Sequence, residues 1–248
     1  MADEGLNVDY LLIRRTTPTV IFAHGLGTTF QKSWGLVYPE IALRYTVLAY
    51  NRAGYGRTRA LAPALSLARD ADHVVAELRA FLLRLDLPPP YVLVGHSMGG
   101  LYLQLFARRH PDEVAGLLLV DSTHPGQFEG VGDIALRPWW FRAGFHLFLR
   151  CYGGLAEWAC ARSSGQQVMA APALSGVPVV ALVSGRSGSN TEICDISRHD
   201  RDMKQDFARL YPGCELQWLD CGHDIPREKP AVVIEAINRI CRSDTIRR

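Results

Sequence analysis

Short apolar runs recur along the chain, separated by longer stretches in which apolar positions return every three or four residues. The runs fall at residues 19–23, 46–50, 91–94, 116–120, 178–183 and 215–219. Short, largely apolar runs alternating with helical segments predict strands of a mostly parallel sheet covered by helices on both faces. Residues 7–14 predict one earlier, antiparallel strand. Between the second and third runs, Val74, Leu78, Phe81, Leu82 and Leu85 repeat at helical spacing and predict a helix with one buried face. Pro88-Pro89-Pro90 ends it and launches the next strand. A closing helix is expected from about Pro230, a residue suited to a first helical turn, with Val233, Ile234, Ile237 and Ile240 towards the sheet.

Residues 125–175 break this rhythm and carry Trp139, Trp140, Phe141, Phe145, Phe148 and Trp158. They predict a short helical cap inserted over the sheet. Its aromatics could be the inner faces of the cap helices, the walls of an apolar substrate pocket, or both.

The length of 248 residues fits one α/β domain with the cap inside it. Hydrophobic residues make up 48% and charged residues 21%, a composition that excludes extended disorder. A net charge of +2 gives no reason to expect nucleic acid as a partner. The acidic, polar start Met1-Ala2-Asp3-Glu4 and the lack of a long apolar run argue against a signal peptide or a membrane span, so a cytoplasmic location is the default expectation. The cysteines, at 151, 160, 194, 214, 221 and 241, have no CxxC or other ligand spacing. No metal or cofactor is expected from them, and they read as free thiols of a reducing compartment. Nothing in the sequence specifies an oligomeric state.

Chemistry concentrates in three loops. Gly95-His96-Ser97-Met98-Gly99-Gly100 lies between an expected strand and the helical stretch 101–109, the setting in which G-x-S-x-G forms a nucleophile elbow. Small residues are needed on either side of Ser97 because the turn is tight, and the new helix aims its first amides at a developing oxyanion. A serine hydroxyl is a weak nucleophile until a base takes its proton. Cys221-Gly222-His223-Asp224-Ile225-Pro226 offers His223, at the carboxyl edge of the sheet where sites of open α/β folds lie. His96 is expected to pack under the elbow and His24 belongs to another loop. Asp121 ends the strand beside the elbow strand and is the expected acid, fixing the tautomer of His223; its alternative role is to cap a turn. Glu192 and Asp195 are the fallbacks, and Asp224 is a poor candidate because adjacent side chains seldom face each other. His24-Gly25-Leu26-Gly27 follows the first run, and the N–H groups of Leu26 and Met98 are expected to hold the oxyanion.

With Val20-Ile21-Phe22-Ala23-His24-Gly25, Tyr50-Asn51-Arg52-Ala53-Gly54-Tyr55-Gly56, the elbow and Gly222-His223, the chain resembles the α/β-hydrolase superfamily over nearly its whole length. The resemblance implies an α/β-hydrolase fold and an acyl-enzyme route through Ser97 and His223. Two positions depart from the pattern. Asn51 stands where the family often has a structural aspartate, and the loop after residues 178–183 begins Ser184-Gly185-Arg186, with no acid at the turn. Asp121 instead occupies the place where haloalkane dehalogenases and some lipases of the superfamily carry theirs; the serine nucleophile argues against dehalogenase chemistry. An esterase or lipase-like enzyme acting on small to medium apolar esters is the leading expectation, with a small-molecule ester as its partner. The alternatives are an amidase or aminopeptidase, for which Glu129, Asp133 and Glu157 are loose candidates to bind an ammonium group, and a hydrolase-fold receptor with little turnover. Perhydrolase and C–C bond hydrolase activities also recur on the fold.

Overall fold

The computed structural model describes residues 8–59, 69–186 and 194–243. Seven strands form one sheet: β1 (Tyr10–Ile13), β2 (Thr16–Ala23), β3 (Tyr45–Tyr50), β4 (Tyr91–His96), β5 (Val114–Val120), β6 (Val179–Ser184) and β7 (Glu215–Leu219). Their order is β1-β3-β2-β4-β5-β6-β7, with β1 antiparallel to β3 and every other pairing parallel. Each of the six expected runs holds a strand within two or three residues of its expected ends. The early antiparallel strand is present at Tyr10–Ile13, while Asn7, where it was expected to begin, lies outside the described residues.

Central strands are apolar throughout because both faces are covered, and alternate residues enter two cores. Ile21, Leu48, Leu93, Leu117, Leu119 and Val183 face one side. Val20, Phe22, Val47, Val94, Leu118, Val120 and Leu182 face the other. The helices in chain order are α1 (Phe30–Trp34), α2 (Tyr38–Ile41), α3 (Ala71–Arg84), α4 (Met98–Arg109), α5 (Trp139–Tyr152), α6 (Leu155–Ala159), α7 (Ala161–Ala170), α8 (Cys194–Leu210), α9 (Ile225–Glu228) and α10 (Pro230–Arg242). α3 buries Val74, Leu78, Phe81 and Leu82 as its spacing requires, and Asp70 caps it by accepting from the His73 N–H. Val233, Ile237 and Ile240 of α10 seal the second core, and Ile234 is partly buried at its margin. Three helices, α5 to α7, fill the interval between β5 and β6 where the rhythm breaks. Among the described residues no helix is long and apolar enough to cross a membrane.

The strand order reverses between β2 and β4, since β3 lies on one side of β2 and β5 on the far side of β4. Loops leaving the carboxyl ends of two such strands diverge and open a crevice. The loop carrying His24 to Gly27 and the loop carrying Ser97 flank that crevice.

Candidate active site

Ser97 sits at φ 52° and ψ −126°, between the end of β4 and the first residue of α4. A positive φ on a residue with a Cβ is strained, and here the neighbours enforce it. A Cβ at Gly95 would fall 2.5 Å from the Gly100 Cα, one at Gly99 would overlap the carbonyl oxygens of Ala23 and His24, and one at Gly100 would overlap Ser122. The three glycines therefore let β2, β4 and the β5 loop close on one another around the serine.

His223 and Asp121 meet at 2.6 Å, Nδ1 to Oδ2. Burial pushes the Asp121 carboxyl up, but the hydrogen bond and charge of His223, the charge of Lys204 and the Ser184 N–H outweigh it and hold the group well below the usual carboxylate range. An ionised carboxylate only accepts, so the His223 Nδ1–H donates, which in the neutral ring leaves the lone pair on Nε2. The His223 side chain is 60% exposed while that of Asp121 is 1% exposed: the acid is fixed in the wall and the imidazole stands at the mouth. Ser97, Asp121 and His223 line one cleft of about 550 Å³. Among the described residues Ser97 Oγ and the His223 ring share that cleft without a direct hydrogen bond.

Three braces hold Asp121, itself at φ 39°. The Ser184 N–H donates to Oδ1 at 2.8 Å, the Ser184 hydroxyl to Oδ2 at 3.0 Å, and Lys204 Nζ lies 3.1 Å from Oδ1. Lys204 also donates to the Ser184 hydroxyl and pairs with Asp200, each at 2.8 Å. Neither Ser184 nor Lys204 carries a sequence signal for this task; Lys204 arrives on α8, a helix that the apolar spacing did not announce. Of the other acids considered, Glu192 lies outside the described residues, Asp195 is in the first turn of α8, and Asp224 is 3.6 Å from Arg227.

His96 is buried under the elbow, as expected, and its Nε2–H donates to the His223 carbonyl at 3.0 Å. Its ring lies 4.7 Å from that of His223. Burial first, and then the neighbouring imidazole, push its pKa down to about 3, so it stays neutral near pH 7. Leu26 and Met98 line the cleft, and among the described residues neither N–H is engaged by another protein group.

The loop bearing Leu26 is fastened by a buried pair that the sequence did not reveal. Arg52 meets Glu157 of α6 at 2.6 and 2.9 Å, and its remaining donors reach the carbonyls of His24 at 2.6 Å and Gly25 at 3.3 Å. The Tyr55 hydroxyl adds a bond to Glu157 at 2.8 Å. Asn51, where an aspartate is common, donates to Asp9 at 2.9 Å and accepts from the Phe30 N–H at 2.9 Å, so the carboxylate comes from another strand end.

The aromatic residues of the insert divide. Phe141, Phe145, Phe148 and Trp158 line the cleft, with Phe128 against Trp158 at 5.1 Å and Phe145 against Trp158 at 4.8 Å. Trp139 and Trp140 do neither of the two things expected of them: they are 78% and 62% exposed, on the outside of α5. Two of the three candidates for an ammonium site are held in ion pairs, and the third stands at the exposed surface, outside the residues that line the cleft. Glu157 is consumed by Arg52, Asp133 pairs with Arg162 at 3.0 Å, and Glu129 is exposed and bonded to Gln166.

A parallel sheet with one antiparallel edge strand, a strained serine at the switch point and a histidine beyond the last strand paired with a carboxylate after β5 define an α/β hydrolase. Residues 20–236 match the Alpha/beta hydrolase family, and the chain belongs to it. It is 29% identical over 151 residues to epoxide hydrolase 4 of Mus musculus, across 60% of this chain and 40% of that protein. It is 36% identical over 113 residues to the pimeloyl-[acyl-carrier protein] methyl ester esterase of Chromobacterium violaceum, across 43% of this chain and 37% of that protein. These matches span about two-fifths of the length of those relatives. Among solved structures, a thermophilic esterase from Thermogutta terrifontis superposes with a TM-score of 0.63 at 21% identity, covering 96% of this chain and 94% of that one, a likeness of fold.

Proposed function

We propose that the protein is a serine hydrolase that cleaves small to medium apolar carboxylic esters through an acyl-enzyme on Ser97. The 2.6 Å pair of His223 with a buried, ionised Asp121, in the same cleft as the elbow serine, carries this reading. With Nδ1–H committed to Asp121, His223 Nε2 takes the Ser97 proton as Oγ attacks the ester carbonyl. A hydrogen bond of this kind commonly tightens only in the complex with substrate. The oxyanion is received by the free N–H groups of Leu26 and Met98, and Asp121 stabilises the imidazolium. His223 returns the proton to the departing alcohol, then activates the water that releases the acid. The helices over the cleft act as its cap, and their aromatic wall favours an apolar acyl or alcohol portion.

Likeness to an ester-cleaving relative supports this choice, and likeness to an epoxide hydrolase does not displace it. A serine opening an epoxide would be left as an ether, which the activated water of this site has no means to cleave. Aminopeptidase activity loses support because Glu157 and Asp133 are already in ion pairs and Glu129 does not line the cleft. The test is labelling by a fluorophosphonate probe with peptide mapping, alongside turnover of p-nitrophenyl esters. Labelling should fall on Ser97, and Ser97→Ala should lower kcat by about 10⁶-fold. Labelling at another residue, or a folded wild-type protein that binds such esters without turnover, overturns the assignment in favour of another nucleophile or a receptor.

A further inference from the structure

Helix α5 keeps most of its apolar surface out of the core. Of its fourteen residues only Leu149 is buried. Leu136, Trp139, Trp140, Leu147, Phe148 and Tyr152, which are more than two-fifths exposed, stand together on this one segment. Large apolar side chains scattered singly over a surface are ordinary, but such a concentration marks a surface that meets something.

Its polar residues are equally ordered. Arg142, His146 and Arg150 are spaced by four and share one stripe, with Trp139 in line at its start, and the rest of the circumference is apolar. No acidic residue occurs from residue 134 to 156. The acids that bracket this interval are engaged elsewhere, Asp133 with Arg162 and Glu157 with Arg52. Lys32 adds a cation at the far end, 5.7 Å from the centre of the Tyr152 ring. A narrow basic stripe beside a broad face of Trp, Phe and Leu is the pattern of a helix lying in a membrane interface, and fourteen residues are too few to span one.

We propose that α5 docks the protein on an anionic lipid surface, with Trp139, Trp140 and Leu147 entering the headgroup boundary and the basic stripe meeting lipid phosphates. Charge complementarity decides for this occupant over a second copy of the chain: pairing two α5 helices would set one basic stripe near another and close the cleft mouth. Phe141 and Phe148 belong both to α5 and to the cleft wall, so the docked face is continuous with the cleft. The inference does not depend on the catalytic reading.

The test uses the full chain as Ser97→Ala, which separates binding from turnover, in co-sedimentation with vesicles. One set is phosphatidylcholine alone and the other contains about a third phosphatidylglycerol, where each cation near the surface is worth about fivefold in partitioning. Expected are strong binding to the anionic vesicles, weaker binding to neutral ones, and loss of the difference at high salt. Arg142→Glu should lower anionic partitioning by about 25-fold, because two unit charges change. Trp139→Ser with Trp140→Ser should abolish it; in the wild-type background this pair should leave turnover of a soluble ester unchanged, which also reports folding, and Leu147→Gln serves if the pair fails to fold. Equal failure to bind both vesicle types overturns the proposal. So does sedimentation as a dimer that the tryptophan changes dissolve without any lipid binding.

Discussion

The carboxyl edge of the sheet and the insert above it solve opposite problems. At the edge, Asp121 is buried, strained at φ 39° and held by Ser184, Lys204 and His223 together. In the insert, α5 keeps a single side chain buried and gives most of its apolar surface to solvent and the cleft. Groups that move protons need positions fixed to fractions of an ångström, and only a packed sheet supplies them. A wall that receives an apolar ligand needs area and some freedom. Among the contacts between the two regions is a buried ion pair, in which Glu157 of the insert meets Arg52, which in turn grips the carbonyls of His24 and Gly25.

Substitutions at the fixed edge should fall most heavily on kcat. Asp121→Asn is expected to lower kcat by about 10²- to 10⁴-fold with little change in KM. A change confined to KM would mean that the carboxylate belongs to binding, and the contrast between the regions would fail. The buried ion pair comes next. Glu157→Ala leaves the Arg52 guanidinium buried and unpaired, which should cost about 3–5 kcal/mol of stability in urea unfolding. Because Arg52 holds the loop of Leu26, kcat should fall as well. If stability and kcat both stay at the wild-type level, the pair does not couple edge to insert.

Lys204→Met removes one brace while leaving Ser184 in place. An expected fall of about tenfold to a hundredfold in kcat, the cost of a small misplacement of Asp121, should be partly restored by Lys204→Arg. Equal losses in the two variants would show that Lys204 merely packs. The gentlest probe is pH. Since the folded state holds the Asp121 carboxyl below its ordinary value of about 3.9, it contributes stability above that pH. The contribution is lost as pH falls towards the depressed folded value. Unfolding midpoints measured from about pH 6 down to 2 should therefore decline less steeply in Asp121→Asn than in the wild type.

How much of this could be read in advance depended on how local the cause was. Strand positions were legible because a strand covered on both faces must be apolar at every residue, and β4 beside β5 shows this from Tyr91 to Val120. Edge strand β7 does not obey that rule, for Glu215, Gln217 and Trp218 are exposed and only Leu219 is buried, as befits a strand paired on one side alone. The elbow was legible since the tight turn itself calls for small residues, although its glycines also answer to the ends of two neighbouring strands. Helix α8 was not, for it contains few apolar residues and its value lies in Lys204 reaching Asp121 from another layer. Trp139 and Trp140 could not be told from Phe141 and Phe145 by composition, as only the docking of α5 sets which side of the helix faces the cleft.

The amino-acid sequence alone determined the strand order in the chain, the strained serine turn and the placement of a histidine after the last strand, because periodicity and tight turns are properties of neighbouring residues. Tertiary structure decided who braces whom. Asp121 and Ser184 are 63 positions apart, His223 and Asp121 are 102, and Arg52 and Glu157 are 105. Partners so distant leave no local pattern, and they meet only when the layers that carry them have packed.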